Sequence, residues 1–203
     1  MKKIKKLYCY RSLDYFQTER ASQILTYKIM KDYQPDLLVF IARGGYSIAK
    51  TMKEELQLPL IDVDCSSSSK KQVERLSQYL PEHLKRTIRT YRVTKKNPYL
   101  PFTKNIKYAE EEWRKHQDKK KILLVDDVVE TGATLEHVLP VLKRYFKDAE
   151  IRVATLSNFN HAWVDYELYH NCILSGPWAR DSKDYNLFIE DYENYQKSKV
   201  KER

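Results

Sequence analysis

The hydrophobic pattern of the chain contains two runs of apolar residues that no polar residue interrupts. They span residues 37–42 and 122–125, and the second opens the stretch ILLVDDVVETGATL. Runs of this length without alternation are typical of strands that are buried on both faces, as in a parallel sheet covered by helices. Two further strands are predicted at residues 59–64 and 151–156.

Helical patterns separate the predicted strands. Apolar residues recur at a spacing of three and four between residues 12 and 32, where Ser12 is the predicted N-cap. Helices are also predicted at 48–56 and 135–146. This alternation of buried strands and helices predicts an α/β fold with a mostly parallel sheet flanked by helices.

Composition places the chain among single-domain proteins without a membrane span. Its 203 residues are enough for one domain with a real core. The charged content of 32% and the mean hydropathy of -0.69 accompany no apolar stretch near the roughly 20 residues of a membrane helix. The basic start MKKIKKLYCYR is followed by too few apolar residues for a signal peptide, so we expect a cytoplasmic location.

The three cysteines, Cys9, Cys65 and Cys172, are far apart in the chain and show no C-x-x-C spacing. An odd number of cysteines without such spacing argues against both a disulfide framework and a zinc site. Reduced, partly buried thiols are therefore expected.

The net charge of +9 fits two kinds of anionic partner. A nucleic acid and a small polyanionic substrate both favour a positive field around the protein. The lysines lie mainly at the chain ends and in connections, not along one helical face. This distribution favours a solvated surface over a nucleic-acid patch and leaves nucleic-acid binding open.

Two acids and a glycine-containing turn follow the aliphatic run at 122–125. Asp126 and Asp127 accept hydrogen bonds when ionised, so the pair suits a ligand with adjacent hydroxyls or a hydroxyl-bound cation. Residues 131–134, Thr-Gly-Ala-Thr, supply hydroxyls and backbone N–H groups where a helix begins, which predicts an anion site. A ribose 5-phosphate satisfies both parts. The alternative, a buried strand before a capped helix, needs only one acid or hydroxyl.

A second candidate site follows the strand at 37–42. Gly44 and Gly45, directly after a buried strand, permit φ values that other residues avoid and let a ligand touch the backbone. Arg43 adds a planar cation that suits phosphate. The alternative is a tight strand-to-helix turn with a surface arginine, and the acid motif further along the chain favours the ligand site over it.

Three segments carry a resemblance to a known family. Residues 125–134 resemble the ribose-phosphate signature of the type I phosphoribosyltransferases, which bind phosphoribosyl pyrophosphate (PRPP). Residues 35–49, PD-x4-IARGG-x3-A, are similar to the pyrophosphate loop of that family, particularly of its 6-oxopurine salvage branch. The Asp-Tyr pair at 165–166 and the later Pro177-Trp178 resemble the base-binding segment of xanthine and hypoxanthine-guanine phosphoribosyltransferases.

The resemblance implies a role for each candidate residue. Trp178 stacks on the purine, the alternative being a packed edge of the core. Glu130 is the general base, and Asp181 is the metal contact. The residues implied to bind the substrates are Asp126, Asp127, Thr131, Gly132, Ala133, Thr134, Arg43, Gly44, Gly45, Trp178 and Arg180.

Two positions depart from the 6-oxopurine branch. Residues 156–160, Leu-Ser-Asn-Phe-Asn, contain no lysine where that branch places one against the 6-oxo group, so Asn158 or Asn160 is the alternative donor. Glu130 stands where the hypoxanthine-guanine branch has aspartate. Its extra methylene shifts the carboxylate by roughly an ångström or more, which matters for proton transfer.

The activity implied by the resemblance is transfer of a phosphoribosyl group from PRPP to a purine base, with release of pyrophosphate and with Mg²⁺ as cofactor. The alternative is a regulatory protein that keeps the PRPP site and binds RNA or DNA through its basic insertion. A homo-oligomer is expected.

The domain organisation follows from the same resemblance. One domain at 1–181 carries a small hood and an insertion at about 66–120, in which helices are predicted at 72–91 and 104–117. Residues 66–69 form either a mobile lid over the reaction centre or a plain linker. The charged tail at 182–203 is predicted to be a surface helix that frays, without a role in the chemistry.

Overall fold

The computed structural model describes residues 9–66, 81, 84, 87, 105–159 and 163–201. In chain order these residues form β1 (Cys9–Ser12), α1 (Tyr15–Ile29), β2 (Leu37–Ala42), α2 (Gly45–Leu56), β3 (Leu60–Ser66), β4 (Asn105–Lys107), α3 (Glu110–Arg114), β5 (Lys121–Val129), α4 (Ala133–Tyr145), β6 (Glu150–Asn158), β7 (Tyr166–His170), β8 (Cys172–Ser175) and α5 (Tyr185–Lys201).

The main sheet has the strand order β4-β3-β2-β5-β6-β7, and its strands are parallel except for the antiparallel edge strand β4. A separate pair of parallel strands, β1 and β8, forms a small second sheet. The two apolar runs lie side by side at the centre of the main sheet, where Phe40 is in register with Val125. The predicted α/β fold with a mostly parallel sheet is confirmed.

The apolar runs are uninterrupted because helices cover both faces of the sheet. Phe40 of β2 packs in a cluster that includes buried residues of α1, α2 and α5. Its neighbours Val39 and Ile41 pack on the opposite face with buried residues of α3 and α4. Every position of such a strand is therefore withdrawn from water, so that no position favours a polar side chain.

The connections create a crevice at the carboxyl ends of β2 and β5. From β2 the chain continues to β3 on one side, and from β5 it continues to β6 on the other side. The helices that follow these two strands, α2 and α4, therefore cover opposite faces of the sheet. Ligands of open α/β sheets bind at such a switch in strand order. The fold thus brings both predicted motifs to one crevice.

Three helices begin at positions other than those predicted. Ser12 lies in β1, and the N-cap of α1 is Asp14. The Asp14 side chain accepts the N–H of Gln17 at 2.8 Å, and the Gln17 side chain accepts the N–H of Asp14 at 3.1 Å. This capping box satisfies two backbone donors at once. The helices predicted at 48 and 135 begin slightly earlier, at Gly45 and Ala133.

The helix predicted at 104–117 is wrong in its first half. Residues 105–107 form β4, which pairs with the outer edge of β3, and the helix is confined to Glu110–Arg114. Pairing satisfies the backbone groups that the edge of β3 otherwise presents, so it overrides the local helical pattern. Trp113 is fully buried, and its indole N–H donates to the carbonyl oxygen of Asp62 at 3.1 Å. The end of the insertion is thereby anchored to the sheet.

The other predictions for the insertion lie mostly outside the described residues. Of the lid candidates at 66–69, Ser66 is the last residue of β3 and the others are not among the described positions. Most of the helix predicted at 72–91 also falls there.

The C-terminal helix belongs to the core, so the prediction of a fraying surface helix is wrong. Phe188 of α5 is 1% exposed. Tyr192 and Tyr195 pack against Phe40 and Tyr46, with ring centroids 5.0 to 6.5 Å apart. These aromatic residues recur at the spacing of one helical face. The hydrophobic core therefore extends beyond residue 181.

An ion-pair network holds the end of α5 against the sheet. Lys199 Nζ pairs with Asp62 of β3 and lies 2.5 Å from a carboxylate oxygen of Glu112 in α3. The side chains of Lys199, Asp62 and Glu112 are 10%, 17% and 19% exposed. Without the lysine, two carboxylates would remain close together with little solvent to screen them.

We expect Lys199→Met to lower the free energy of unfolding by about 2 kcal/mol. Removing one partner of a fully buried pair costs about 3–5 kcal/mol, and the effect here is smaller because all three side chains keep some contact with water. Methionine retains the apolar stem, so the loss reports the charge. Urea denaturation measures the change, with the exposed Lys197→Met on the same helix as control. Equal stability of the two variants would contradict a stabilising network.

Candidate active site at the carboxyl ends of β2 and β5

Asp126 and Asp127 lie within β5, which continues to Val129 instead of ending at the aliphatic run. Asp126 is 6% exposed, and its Oδ1 accepts the backbone N–H of Asp127 at 2.9 Å. The carbonyl oxygen of Asp127 accepts a hydrogen bond from the Thr155 hydroxyl of β6 at 3.0 Å. These contacts hold both acids in defined positions at the crevice.

The turn after β5 has the geometry that the sequence predicts. Gly132 is the N-cap of α4 and has a φ of 80°, a left-handed conformation that residues with a Cβ rarely adopt. The hydroxyl oxygen of Thr131 accepts the N–H of Ala133 at 3.4 Å. Helix α4 therefore opens directly at this turn, where its first N–H groups lack intrahelical partners and its dipole is positive. Such a helix start can bind an anion.

The Arg43-Gly44-Gly45 loop leads from β2 into α2. The Ala42–Arg43 peptide bond is cis, and the Arg43 side chain is exposed. Gly44 has a φ of -57°, so the prediction that this glycine supplies an unusual φ is wrong. A glycine is required at position 44 because there is no space for a side chain: a Cβ there would lie 2.5 Å from the carboxylate oxygens of Asp127. The loop after β2 and the acids of β5 are thus in direct contact.

Trp178 lies in a turn that follows β8. Its indole ring occupies the space that a Cβ at Gly176 would need. The N–H of Ala179 donates to the carbonyl oxygen of Gly176 at 3.0 Å, which closes the turn. Trp178 is half-buried and packs against the hydrophobic cluster that contains Phe40. Arg180 and Asp181 are also half-buried. The structure therefore gives the indole ring a defined support.

Glu130 and Asn158 lie at the carboxyl ends of neighbouring strands. Glu130 comes directly after β5 and is half-buried. Asn158 is the last residue of β6, is 5% exposed and is in register with Val129, the residue before Glu130. The two positions thus meet at one end of the sheet. Asn160, the other alternative donor, lies outside the described residues.

Helix α5 packs against the start of α2, beside the loop after β2, which the sequence interpretation missed. Burial and the carboxylates Asp62 and Asp64 raise the pKa of Tyr192 to about 12, while the nearby charge of Arg43 opposes this shift. The ring centroid of Tyr192 lies 5.3 Å from that of Tyr46, which directly follows the loop after β2. The signal in the sequence is the helical spacing of aromatic residues, which starts at Tyr185 and includes Phe188.

Among residues 9–66, 105–159 and 163–201, no group of three or more His, Cys, Asp or Glu side chains could hold a metal ion. No helix in this part of the chain is long and apolar enough to cross a membrane.

A comparison with protein families identifies the chain once this geometry is established. The family model described as the phosphoribosyl transferase domain matches residues 14–175, which include every strand of the main sheet and both motifs. The chain belongs to the phosphoribosyltransferase family. It is therefore a phosphoribosyltransferase, and PRPP and a nitrogenous base are the substrates that this family membership implies.

Solved structures of phosphoribosyltransferases share the fold of the chain. A purine phosphoribosyltransferase from Pyrococcus horikoshii is 23% identical with a TM-score of 0.56, and the match covers 83% of this chain and 93% of that one. The xanthine-guanine-hypoxanthine phosphoribosyltransferase of Helicobacter pylori is 17% identical with a TM-score of 0.57, covering 89% and 99%.

A third solved structure, a hypothetical protein from Neisseria gonorrhoeae with bound ppGpp, is also 17% identical with a TM-score of 0.57, covering 93% and 98%. At these identities the likeness is one of fold. A search of curated protein sequences finds no match.

Proposed function

We propose that this phosphoribosyltransferase uses a 6-oxopurine as acceptor, so that it transfers the phosphoribosyl group of PRPP to a purine and releases pyrophosphate. The observation that carries the proposal is the close approach of Gly44 to Asp127, which joins the two loops that resemble the pyrophosphate and ribose-phosphate motifs. The purine is supported by Trp178 and by the names of two fold neighbours, a purine and a xanthine-guanine-hypoxanthine phosphoribosyltransferase.

PRPP offers three groups to this site. The carboxylates of Asp126 and Asp127 accept hydrogen bonds from the ribose hydroxyls. The turn at residues 131–134 holds the 5-phosphate with its backbone N–H groups. Arg43, Gly44 and Gly45 bind the pyrophosphate, with the guanidinium as a planar charged donor. One ligand thereby spans the crevice between β2 and β5.

We expect Gly44→Ala to weaken PRPP binding about tenfold while the protein stays folded. The added Cβ overlaps the Asp127 carboxylate, a flexible side chain that can move aside but then loses its position for the ribose hydroxyl, worth about 1.4 kcal/mol. Titration calorimetry with PRPP measures the loss. Gly45→Ala is the comparison, because its Cβ would lie 2.6 Å from the Val125 carbonyl oxygen, a backbone atom, and should lower stability instead. Native PRPP affinity in Gly44→Ala would contradict the proposed contact.

The reaction needs a fixed ribose and a place for one proton. A nitrogen of the purine attacks the anomeric carbon as the bond to pyrophosphate breaks, and Glu130 accepts the proton of that nitrogen. The ribose gains positive charge in the transition state, and the two carboxylates of β5 stabilise that charge. Binding of both phosphate groups keeps the reacting atoms aligned.

The donor chemistry of the site fits Mg²⁺. This cation prefers oxygen ligands and is usually held by one or two carboxylates together with substrate phosphates and water. Asp181 supplies such a carboxylate from the half-buried turn after β8. When bound, Mg²⁺ neutralises charge on the departing pyrophosphate.

Base recognition combines stacking with a neutral donor. Trp178 provides the aromatic surface, and Asn158 stands in the segment where the 6-oxopurine branch has a lysine. The side-chain amide N–H of Asn158 donates to the exocyclic oxygen of the base. A neutral donor contributes about 1 kcal/mol, less than a charged one, so discrimination among 6-oxopurines is expected to be loose.

We expect Trp178→Ala to raise the KM for the purine about tenfold with a smaller change in kcat. Loss of the stacking contact removes about 1 kcal/mol or slightly more of ground-state and transition-state binding alike. Steady-state kinetics at saturating PRPP measure both constants. Trp163→Ala is the matched control, because this tryptophan is 62% exposed and lies before β7. Equal KM values for the two variants would contradict the stacking role.

A product assay tests the proposed acceptor directly. The full chain is incubated with PRPP, Mg²⁺ and hypoxanthine, guanine, xanthine, adenine, uracil or orotate, and nucleotide formation is followed by chromatography. Nucleotides of the 6-oxopurines are the expected products. Formation of a pyrimidine nucleotide alone would refute the purine acceptor and leave the phosphoribosyltransferase assignment intact.

A further inference from the structure

Two cysteines that are far apart in the chain meet in the small sheet. Cys9 of β1 and Cys172 of β8 are register partners in neighbouring parallel strands. Their sulfur atoms lie 2.8 Å apart, and both are free thiols. Neighbouring strands are separated by about 4.8 Å, which lies within the Cα separations that a disulfide bridges. The register and the sulfur separation therefore place the two cysteines within reach of a disulfide.

The two thiols differ in access. Cys9 is exposed, whereas Cys172 is 1% exposed. Burial and the neighbouring Cys9 thiol raise the pKa of the Cys172 thiol to about 12. An external disulfide therefore reacts with Cys9 first, and Cys172 is placed to react with the mixed disulfide that forms on Cys9. Cys65 lies in β3 of the main sheet, apart from this pair.

We infer that Cys9 and Cys172 are a site of thiol–disulfide exchange, where oxidation by a low-molecular-weight disulfide such as glutathione disulfide staples β1 to β8. All three cysteines are free thiols, as the sequence predicts, and the fold brings together two of them that no sequence spacing connects. The inference does not depend on which base the enzyme accepts.

The exchange proceeds in two balanced steps. The Cys9 thiolate attacks one sulfur of glutathione disulfide, forms a mixed disulfide and releases one glutathione thiolate. The Cys172 thiol then loses its proton as its sulfur attacks the Cys9 sulfur, which forms the protein disulfide and releases the second glutathione thiolate. The protein gives up two protons and two electrons, and glutathione disulfide takes up both. Excess reduced glutathione reverses the two steps.

The bond would constrain the strand that precedes the Trp178 turn. Strand β8 leads through Gly176 into that turn, and the N–H of Leu13, directly after β1, donates to the carbonyl oxygen of Ser175 at 2.8 Å. Oxidation adds a covalent link to a contact that hydrogen bonds and the packing of Tyr10 on the cluster of Ile173 and Phe159 maintain in the reduced protein. Because the link closes a long loop, it restricts the unfolded chain strongly.

Peptide mapping without reduction tests the site in the full chain. After incubation with glutathione disulfide, the dominant species should be a peptide pair linked through Cys9 and Cys172. Cys65→Ser should leave this link intact. Cys172→Ala should instead accumulate glutathione on Cys9, because the second step is lost. Glutathione on both Cys9 and Cys172 without a link, or a link that involves Cys65, would overturn the inference.

Thermal unfolding tests the staple independently. The oxidised wild-type protein should have a Tm about 5 °C above that of the reduced protein, since disulfides typically add a few kcal/mol and each kcal/mol moves the Tm of a chain this long by about 2–4 °C. Cys9→Ser, which replaces an exposed side chain, should show no difference between the two conditions. A linked wild-type protein with an unchanged Tm would overturn the stapling role.

Discussion

Replacing Asp126 and Asp127 together with asparagine is expected to weaken PRPP binding about 1,000-fold, because two charge-assisted hydrogen bonds of about 2 kcal/mol each are lost. The substitution removes both negative charges and keeps the side-chain volumes. Titration calorimetry with PRPP and Mg²⁺ measures the change in affinity.

The fold should survive this double substitution. The Asp126 side chain accepts the N–H of Asp127 at 2.9 Å, and the amide oxygen of asparagine can accept the same hydrogen bond. Asp148→Asn is the control for loss of charge, since its side chain is 82% exposed near the start of β6, away from the crevice. If the double variant bound PRPP as tightly as this control, the acids would not contact the ribose.

Glu130→Gln is expected to lower kcat at least about 100-fold with little change in KM for PRPP, because general base catalysis typically contributes a factor of about 100 to 10,000. Glutamine fills the same space and cannot accept the purine proton.

Two further variants separate proton transfer from local structure. Glu136→Gln, an exposed acid in the first turn of α4, should behave as wild type. Glu130→Asp keeps the charge and shortens the reach, so its kcat should lie between those of the wild type and Glu130→Gln. Wild-type kcat in Glu130→Gln would show that another group takes the proton.

The central strands of the main sheet could be predicted because uninterrupted runs of apolar residues indicate strands that are buried on both faces. Residues 37–42 form β2 with the predicted bounds, since six consecutive apolar positions have no stable alternative once helices cover both faces. The Thr-Gly-Ala-Thr turn could also be predicted. Gly132 adopts a φ of 80°, which few other residues would tolerate, so the glycine itself marks the conformation.

Predictions failed where distant partners decide the local structure. Residues 105–107 join the edge of β3 instead of continuing a helix, because unpaired strand groups lie within reach of them. Helix α5 has many charged residues, and its aromatic face belongs to the core because Phe40 and Tyr46 pack against it. A sequence pattern contains the face but not the surface that covers it.

The sequence by itself determined the family, the two motifs that follow buried strands and the identity of the residues proposed to bind PRPP. Each of these depends on residue types at short spacing. Only the tertiary structure decided why Gly44 must be a glycine and that Cys9 meets Cys172. Both depend on the distance between segments that strand order and register bring together, and a linear pattern does not contain that distance.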